Sequence, residues 1–122
     1  MHYKLLLFNC YGGCETGVAG SKAIIKIWEE YPNDVKIGCL PAIRIPFKFK
    51  NIMKTSDKRI LVDACPIKCG KKLFESVNMP LDSYIELTST LGIKKKKQLP
   101  SKDLEEKVYD VIKKEVDKLL SE

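Results

Sequence analysis

Five cysteines carry most of the chemistry that this 122-residue sequence could perform. Cys10 and Cys14 are separated by three residues, Cys65 and Cys69 have the same spacing, and Cys39 stands alone. An odd number of thiols cannot all form internal disulfides, and thiols in the cytoplasm, where we expect this chain, are normally kept reduced. The cysteines therefore favour metal binding or thiol chemistry over a disulfide framework.

The two cysteine pairs occupy matching places in the chain. The segments "LLLFNCYGGC" and "RILVDACPIKC" each contain an apolar strand, a cysteine, three further residues and a second cysteine. In both cases the strand and its turn lead into a predicted helix. A third predicted strand, "VKIGC", ends at Cys39 and lies between the other two in the sequence. In parallel sheets the carboxyl ends of the strands meet at one edge, where ligands bind. We expect the four paired sulfurs to converge at that edge, and Cys39 to be able to approach the same place.

This arrangement suits a bound metal ion. Zinc in closed sites takes four tetrahedral ligands and commonly uses cysteine sulfur, and its charge removes the repulsion between neighbouring thiolates. Helices that begin after Cys14 and after Cys65 would point N–H groups at the sulfurs and lower the pKa of the thiols. Gly12 and Gly13 would let the backbone bend through conformations that other residues avoid. The predicted zinc ligands are Cys10, Cys14, Cys65 and Cys69, with Cys39 as a fifth candidate.

Other kinds of cysteine site stay open at this point. Cys10 or Cys65 could attack a substrate or carry sulfur in a redox or sulfur-transfer protein, and four cysteines could equally hold an iron–sulfur cluster. Cysteine is also a common core residue, and for Cys39 this interpretation is as good as a ligand role. Asp63 is either an ordinary strand-end acid or a hydrogen-bond partner of the site. His2 is the sole histidine, which argues against a Cys–His catalytic pair.

Hydrophobic patterning predicts the elements that would position these cysteines. Apolar runs indicate strands at residues 3–9, 35–39, 59–65 and 83–88. Helical spacing and helix-start residues indicate helices at residues 16–31, near residue 47, from Pro66 onward and after Ser101. This alternation predicts one α/β domain over residues 1–122, with a small, mainly parallel sheet of about four strands and helices on both faces.

Composition and charge narrow the class of protein. Apolar residues make up 44% and charged residues 31%, which is ordinary for a globular protein. No apolar run is long enough to form a membrane helix, and the amino end lacks the length and cleavage site of a signal peptide. We therefore expect a cytoplasmic protein with no membrane contact.

The formal charge of +6 comes mainly from residues 41–72, which carry nine lysines and arginines and two acids. Such a segment could attract an anion. No nucleic-acid-binding motif accompanies it, and the four lysines at 94–97 are predicted to form a solvated loop. The partner that we expect is thus a metal ion, not nucleic acid, and the sequence identifies no protein partner.

Three segments resemble those of a known family. The segment "DACPIKCGKKLFE" resembles the signature of the DGC domain family, a family of zinc-binding proteins named for an Asp-Gly-Cys motif. "NCYGGCETGVAGSKA" resembles its Cys-Gly-rich amino-terminal segment, and "GCLPAIRIP" resembles its middle cysteine segment. The sequence departs from the motif at Ala64, where the family name calls for glycine. The resemblance, which spans most of residues 5–76, implies a cysteine metal site and no particular reaction.

Overall fold

The computed structural model describes residues 2–122. The strands are β1 (Tyr3–Asn9), β2 (Val35–Ile37), β3 (Ser56–Asp63) and β4 (Ser83–Glu86). The helices are α1 (Glu15–Glu30), α2 (Pro46–Thr55), α3 (Cys69–Val77), α4 (Leu87–Leu91) and α5 (Lys102–Leu120), and a 3₁₀ helix spans Leu40–Arg44. Strands and helices therefore alternate along most of the chain.

The four strands form one parallel sheet in the order β2-β1-β3-β4. β1 and β3 are the central strands, and Asn9 at the end of β1 stands opposite Val62 of β3. By the same register, Cys10 comes level with Asp63. The segments that follow the two central strands consequently leave the sheet side by side. The predicted α/β class with a small parallel sheet is confirmed.

Alternate residues of β1 enter two apolar layers, one on each face of the sheet. Leu5 and Leu7 pack with residues of α1 and α5, whereas Leu6 and Phe8 pack with residues of the 3₁₀ helix, α2 and α3. Phe8 meets Phe74 of α3 edge-to-face, with ring centroids 5.1 Å apart, an arrangement that aromatic pairs prefer. Full burial of one such side chain stabilises the fold by roughly 1.5–3 kcal/mol. The helices cover both faces, as predicted.

Several elements begin or end where the sequence predicts. β1 has the predicted bounds, and α1 is shifted by one residue from the predicted 16–31. Ser101 caps α5, because its Oγ accepts a hydrogen bond from the Leu104 N–H at 3.1 Å. The short helix expected near residue 47 begins at Pro46, which occupies a first-turn position where its missing N–H costs nothing.

The start of α3 differs from the prediction. The sequence predicts a helix from Pro66, but residues 64–68 form a turn and α3 begins at Cys69. Lys68 has a φ of 58°, in the left-handed region, so a right-handed helix cannot extend back through it. The prediction that the helix starts at Pro66, which rested on the preference of proline for the first turn of helices, is therefore wrong.

The outer strands are shorter than predicted. β2 ends at Ile37, two residues before Cys39, and β4 ends at Glu86. The chain turns into α4 at Glu86 because the side chain of this residue accepts hydrogen bonds from the N–H groups of Thr88 and Ser89, at 2.7 Å and 3.4 Å. The strand predicted from the sequence, residues 83–88, therefore ends two residues too late.

Candidate functional site

Two turns at the carboxyl edge of the sheet hold four of the five cysteines. Cys10 directly follows β1, and its N–H donates to the Val62 carbonyl of β3 at 3.0 Å. Cys14 is the residue that precedes α1. Cys65 lies two residues beyond the end of β3, and Cys69 is the first residue of α3. Each pair thus connects the end of a central strand with the start of a helix.

A cavity of about 420 Å³ lies between these turns, and we call it the cysteine cavity. All four paired cysteines line it, together with other residues of the two turns and two lysines. Cys14 and Cys65 are buried, Cys10 is partly exposed and Cys69 is exposed. The cavity therefore presents thiols at different depths, and two of them are accessible from solvent.

The cavity is not an assembled metal site in the arrangement described for residues 2–122. Within that range, no three Cys, His, Asp or Glu side chains are grouped closely enough to hold a metal ion together. The four thiols share one cavity without being in ligand positions around a common point. Any metal would have to draw the sulfurs together.

Cys39 lies apart from this cavity. It is exposed, precedes the 3₁₀ helix and is not among the residues that line the cavity. The expectation that it ends a strand is wrong, because β2 stops at Ile37 and lies at the edge of the sheet. A position beyond an edge strand separates Cys39 from the turns that follow the two central strands.

Thr16 connects the two cysteine turns. Its side chain is buried in the first turn of α1, and its Oγ1 donates a hydrogen bond to the Ala64 carbonyl at 2.6 Å. The same oxygen lies 3.5 Å from Cys14 Sγ. Because the single hydroxyl proton goes to the carbonyl, the Cys14 S–H is the donor in the second contact. One hydroxyl thus links a thiol of the first turn to the backbone of the second.

Gly17, rather than Gly12 or Gly13, is the glycine that the first turn requires. A Cβ at Gly17 would stand 2.7 Å from the Gly12 carbonyl oxygen, closer than real Cβ contacts. Neither Gly12 nor Gly13 has a positive φ; among the glycines of residues 2–122 only Gly92 does. The predicted use of Gly12 and Gly13 for unusual backbone conformations is therefore wrong. Close packing of the turn on α1 is the actual constraint.

Asp63 fixes the second turn. Its carboxylate is almost fully buried and accepts hydrogen bonds from the N–H groups of Gly70 and Lys71, both at 3.0 Å. It also accepts one from the Tyr84 hydroxyl at 2.8 Å. Burial, followed by the bond to Asp63, raises the pKa of Tyr84, so this phenol stays a donor. Asp63 thereby holds the amino end of α3, where Cys69 lies.

The electrostatic environment of Cys10 differs from the sequence-based expectation. The pKa of Cys10 is raised, first by burial and then by the nearby Asp63 carboxylate, Cys69 and Cys65. Helix starts were expected to lower the pKa of the thiols of this site. For Cys10 that expectation is wrong, since loss of solvent and negative neighbours outweigh any helix contribution. The raised pKa favours the neutral thiol of Cys10 over the thiolate.

A family model of the DGC domain matches residues 6–116. The chain belongs to the DGC domain family. No curated protein and no solved structure matches it. The matched range contains both cysteine turns and most of α5, so it extends well beyond the segments whose resemblance is visible in the sequence.

At the position where the family name calls for glycine, this DGC domain tolerates a methyl group. Ala64 is buried, and its carbonyl oxygen is used by Thr16. The backbone contact between the turns is therefore made with alanine in place.

No helix within residues 2–122 combines the length and apolarity needed to cross a bilayer.

The lysine-rich loop of the DGC domain contributes to the cavity, which sequence reasoning missed. Lys95 and Lys97 line the cysteine cavity. The loop is held at the start of α1: the Glu15 N–H donates to the Lys96 carbonyl at 2.9 Å, and the Gln98 side-chain amide donates to the Glu15 carboxylate at 3.0 Å. The sequence carries no signal of this, since the two cavity-lining lysines stand in a uniform row of four.

Proposed function

We propose that this DGC domain binds zinc through Cys10, Cys14, Cys65 and Cys69. The observation that supports the proposal is the position of these four cysteines on two equivalent strand-to-helix turns that border one cavity. Cysteine sulfur is a preferred zinc ligand, and four such ligands complete a tetrahedral site. Cys39 is outside the proposed ligand set, because it does not line the cavity.

The donor set fits zinc, although its present spacing requires adjustment. Zinc–sulfur bonds are about 2.3 Å long, so binding would have to move the thiols toward one another. The segment that could move is residues 64–68, which has no regular secondary structure between β3 and α3. When bound, zinc supplies positive charge that compensates deprotonated sulfur. The protein supplies a fixed platform, because the central strands that carry the turns are buried.

The direct test is the metal content of the protein after purification under reducing conditions without chelators. We expect about one zinc ion per chain, by elemental analysis. Cys69→Ser should lower zinc content and affinity, whereas Cys39→Ser should leave both unchanged. These variants are a matched pair, since both cysteines are exposed and only Cys69 lines the cavity.

Two results would contradict the proposal. The first is a protein without stoichiometric zinc whose five thiols all titrate freely. The second is equal zinc loss in the Cys39 and Cys69 variants, which would place Cys39 among the ligands. A brown protein after anaerobic purification, with iron and sulfide in place of zinc, would assign the same cysteines to an iron–sulfur cluster.

One observation favours a second candidate, a thiol redox protein. All four cysteines that line the cavity are free thiols, and a disulfide requires only two of them. In that case two cavity thiols would lose two protons and two electrons to a disulfide oxidant and form one disulfide. Equilibration with glutathione buffers, followed by mass spectrometry, would show a single reversible disulfide between cavity cysteines and no metal requirement.

A further inference from the structure

We propose that the cysteine cavity is an anion-selective site, and that Lys95 and Lys97 give it this selectivity. The ligand class is a small, negatively charged molecule that reaches the thiols past these two cations. This inference deepens the proposed function and rests on it in one respect, namely that the thiols of this cavity are the functional groups. Its test uses metal-free protein, so the two proposals can fail separately.

The first argument is that the positive charge at the cavity is not neutralised by neighbouring acids. Lys95 and Lys97 line the cavity together with the four thiols. No ion pair within residues 2–122 involves any lysine of the 94–97 loop. Their charge is therefore available to a ligand, and cavities lined by one sign of charge concentrate ligands of the opposite sign.

The second argument is that nearby acids are occupied by donors. Asp63 accepts hydrogen bonds from Gly70, Lys71 and Tyr84. Glu15 accepts one from Gln98. Both carboxylates are nearly inaccessible to solvent, so an entering molecule does not contact them directly. The charge of Asp63 still acts on Cys10, and the two lysines outnumber it.

The third argument is that the loop is held in place. The Glu15 N–H donates to the Lys96 carbonyl at 2.9 Å, and the Gln98 side-chain amide donates to the Glu15 carboxylate at 3.0 Å. These bonds attach the loop to the first turn of the 16-residue helix α1, whose positive dipole end lies at the same edge of the sheet. Two cations on this anchored loop and a helix start thus act in the same direction.

The experiment compares two thiol reagents of similar size and opposite charge on reduced, metal-free protein: the 2-sulfonatoethyl and the 2-(trimethylammonio)ethyl methanethiosulfonates. In each reaction the cysteine sulfur bonds to the sulfenyl sulfur of the reagent, and methanesulfinate leaves with the electron pair. Mass spectrometry gives the rate at each cysteine. Cys69 and Cys39 are both exposed, so Cys39 serves as a reference outside the cavity.

We expect the ratio of anionic to cationic rates at Cys69 to exceed the ratio at Cys39 by about tenfold at low ionic strength. The excess should shrink as salt is added, because the Debye length falls. The double variant Lys95→Gln with Lys97→Gln should reduce the excess of the Cys69 ratio over the Cys39 ratio to about twofold. The control, Lys94→Gln with Lys96→Gln, removes the same charge from the same loop at side chains that do not line the cavity, and should retain most of the preference.

The inference is overturned if Cys69 and Cys39 show equal ratios in the natural protein, or if both double variants lose the preference equally. Zinc content of the natural protein is measured in parallel. Stoichiometric zinc without anion preference would overturn only this inference. Anion preference without zinc binding would uphold it and overturn the proposed metal site.

Discussion

At the scale of single residues, a few buried polar groups join the two cysteine turns and hold them on the sheet. Thr16 bonds the backbone of the second turn from within α1, and Asp63 holds the start of α3. A buried hydrogen bond contributes modestly when formed, but a buried partner left unpaired costs more. Substitution of these groups should therefore affect both stability and the geometry of the cavity.

Thr16→Val should destabilise the protein by about 1–3 kcal/mol, because the buried Ala64 carbonyl loses its donor while the side-chain volume is kept. Thr16→Ser is the matched control, since it keeps the hydroxyl and removes only a methyl group. Urea unfolding of both variants measures the difference. An unaffected Thr16→Val variant beside a destabilised Thr16→Ser variant would show that packing of the methyl, rather than the hydrogen bond, is what matters at this position.

Glu86 should make stability depend on acid pH. Burial opposes its ionisation, but hydrogen bonds from Thr88 and Ser89 prevail and lower its pKa. A lowered folded-state pKa stabilises the protein above the unfolded-state value of about 4.3, and that stability is lost as pH falls through the folded-state pKa. Glu86→Gln should therefore cost about 1 kcal/mol at pH 7. The difference in the free energy of unfolding between the natural protein and the variant should close below about pH 4. Urea unfolding at several pH values measures this difference. A difference independent of pH would contradict this assignment.

At the scale of elements, the first turn lies directly against α1. A methyl group at Gly17 would meet the backbone oxygen and nitrogen of Gly12 at 2.7 and 2.9 Å, whereas one at Gly13 would meet nothing within 4 Å. Backbone atoms cannot move aside as a flexible side chain does. The turn and the helix are thus coupled through this close contact.

Gly17→Ala should cost about 1–3 kcal/mol through overpacking and should displace the Cys10–Cys14 turn. Gly13→Ala should be tolerated. Thermal unfolding gives the stability, and the rate of Cys14 labelling reports whether this buried thiol has become accessible. Faster labelling with unchanged stability would still show displacement, whereas two indistinguishable variants would refute the close contact.

The sequence predicted those elements that local patterns determine. β1 is a continuous apolar run, and α5 combines an apolar stripe with a capping serine, so both were placed correctly. The start of α3 was misplaced because it depends on Asp63 and on the left-handed Lys68, neither of which is visible in helical periodicity. The end of β4 was misplaced for a similar reason, since Glu86 caps a helix that begins inside the apolar pattern.

The candidate site was predicted in the same partial way. Matching spacing after two strands identified the four cysteines that line the cavity. The role of Cys39 depended on strand order, which spacing does not determine, and β2 lies at the edge of the sheet. Lys95 and Lys97 reach the cavity through backbone bonds at the start of α1, a contact distant in sequence that no local pattern encodes.

At the scale of the whole molecule, the positions of the thiols predict which react when the proposed metal is bound. With zinc bound, iodoacetamide should label Cys39, which is exposed and outside the cavity, and leave the four cavity cysteines unmodified. After chelation, Cys69 should become reactive first, because it is exposed, whereas Cys14 is only 2% exposed. Mass spectrometry after brief alkylation distinguishes the positions. Labelling of Cys14 in the metal-bound form would contradict the order that burial predicts.

The attachment of both turns to adjacent central strands has a consequence for amide hydrogen exchange. The amides of Leu7 and Leu61 belong to a buried ladder, so they should exchange only when the whole domain unfolds. The amides of Cys65, Ile67 and Lys68 lie outside any ladder and should exchange through local fluctuations that leave the sheet intact. Two separate protection classes would mean that the site can open and close while the sheet stays folded. Mutations in the turns could then change the affinity of the site for its ligand at little cost to the cooperativity of folding.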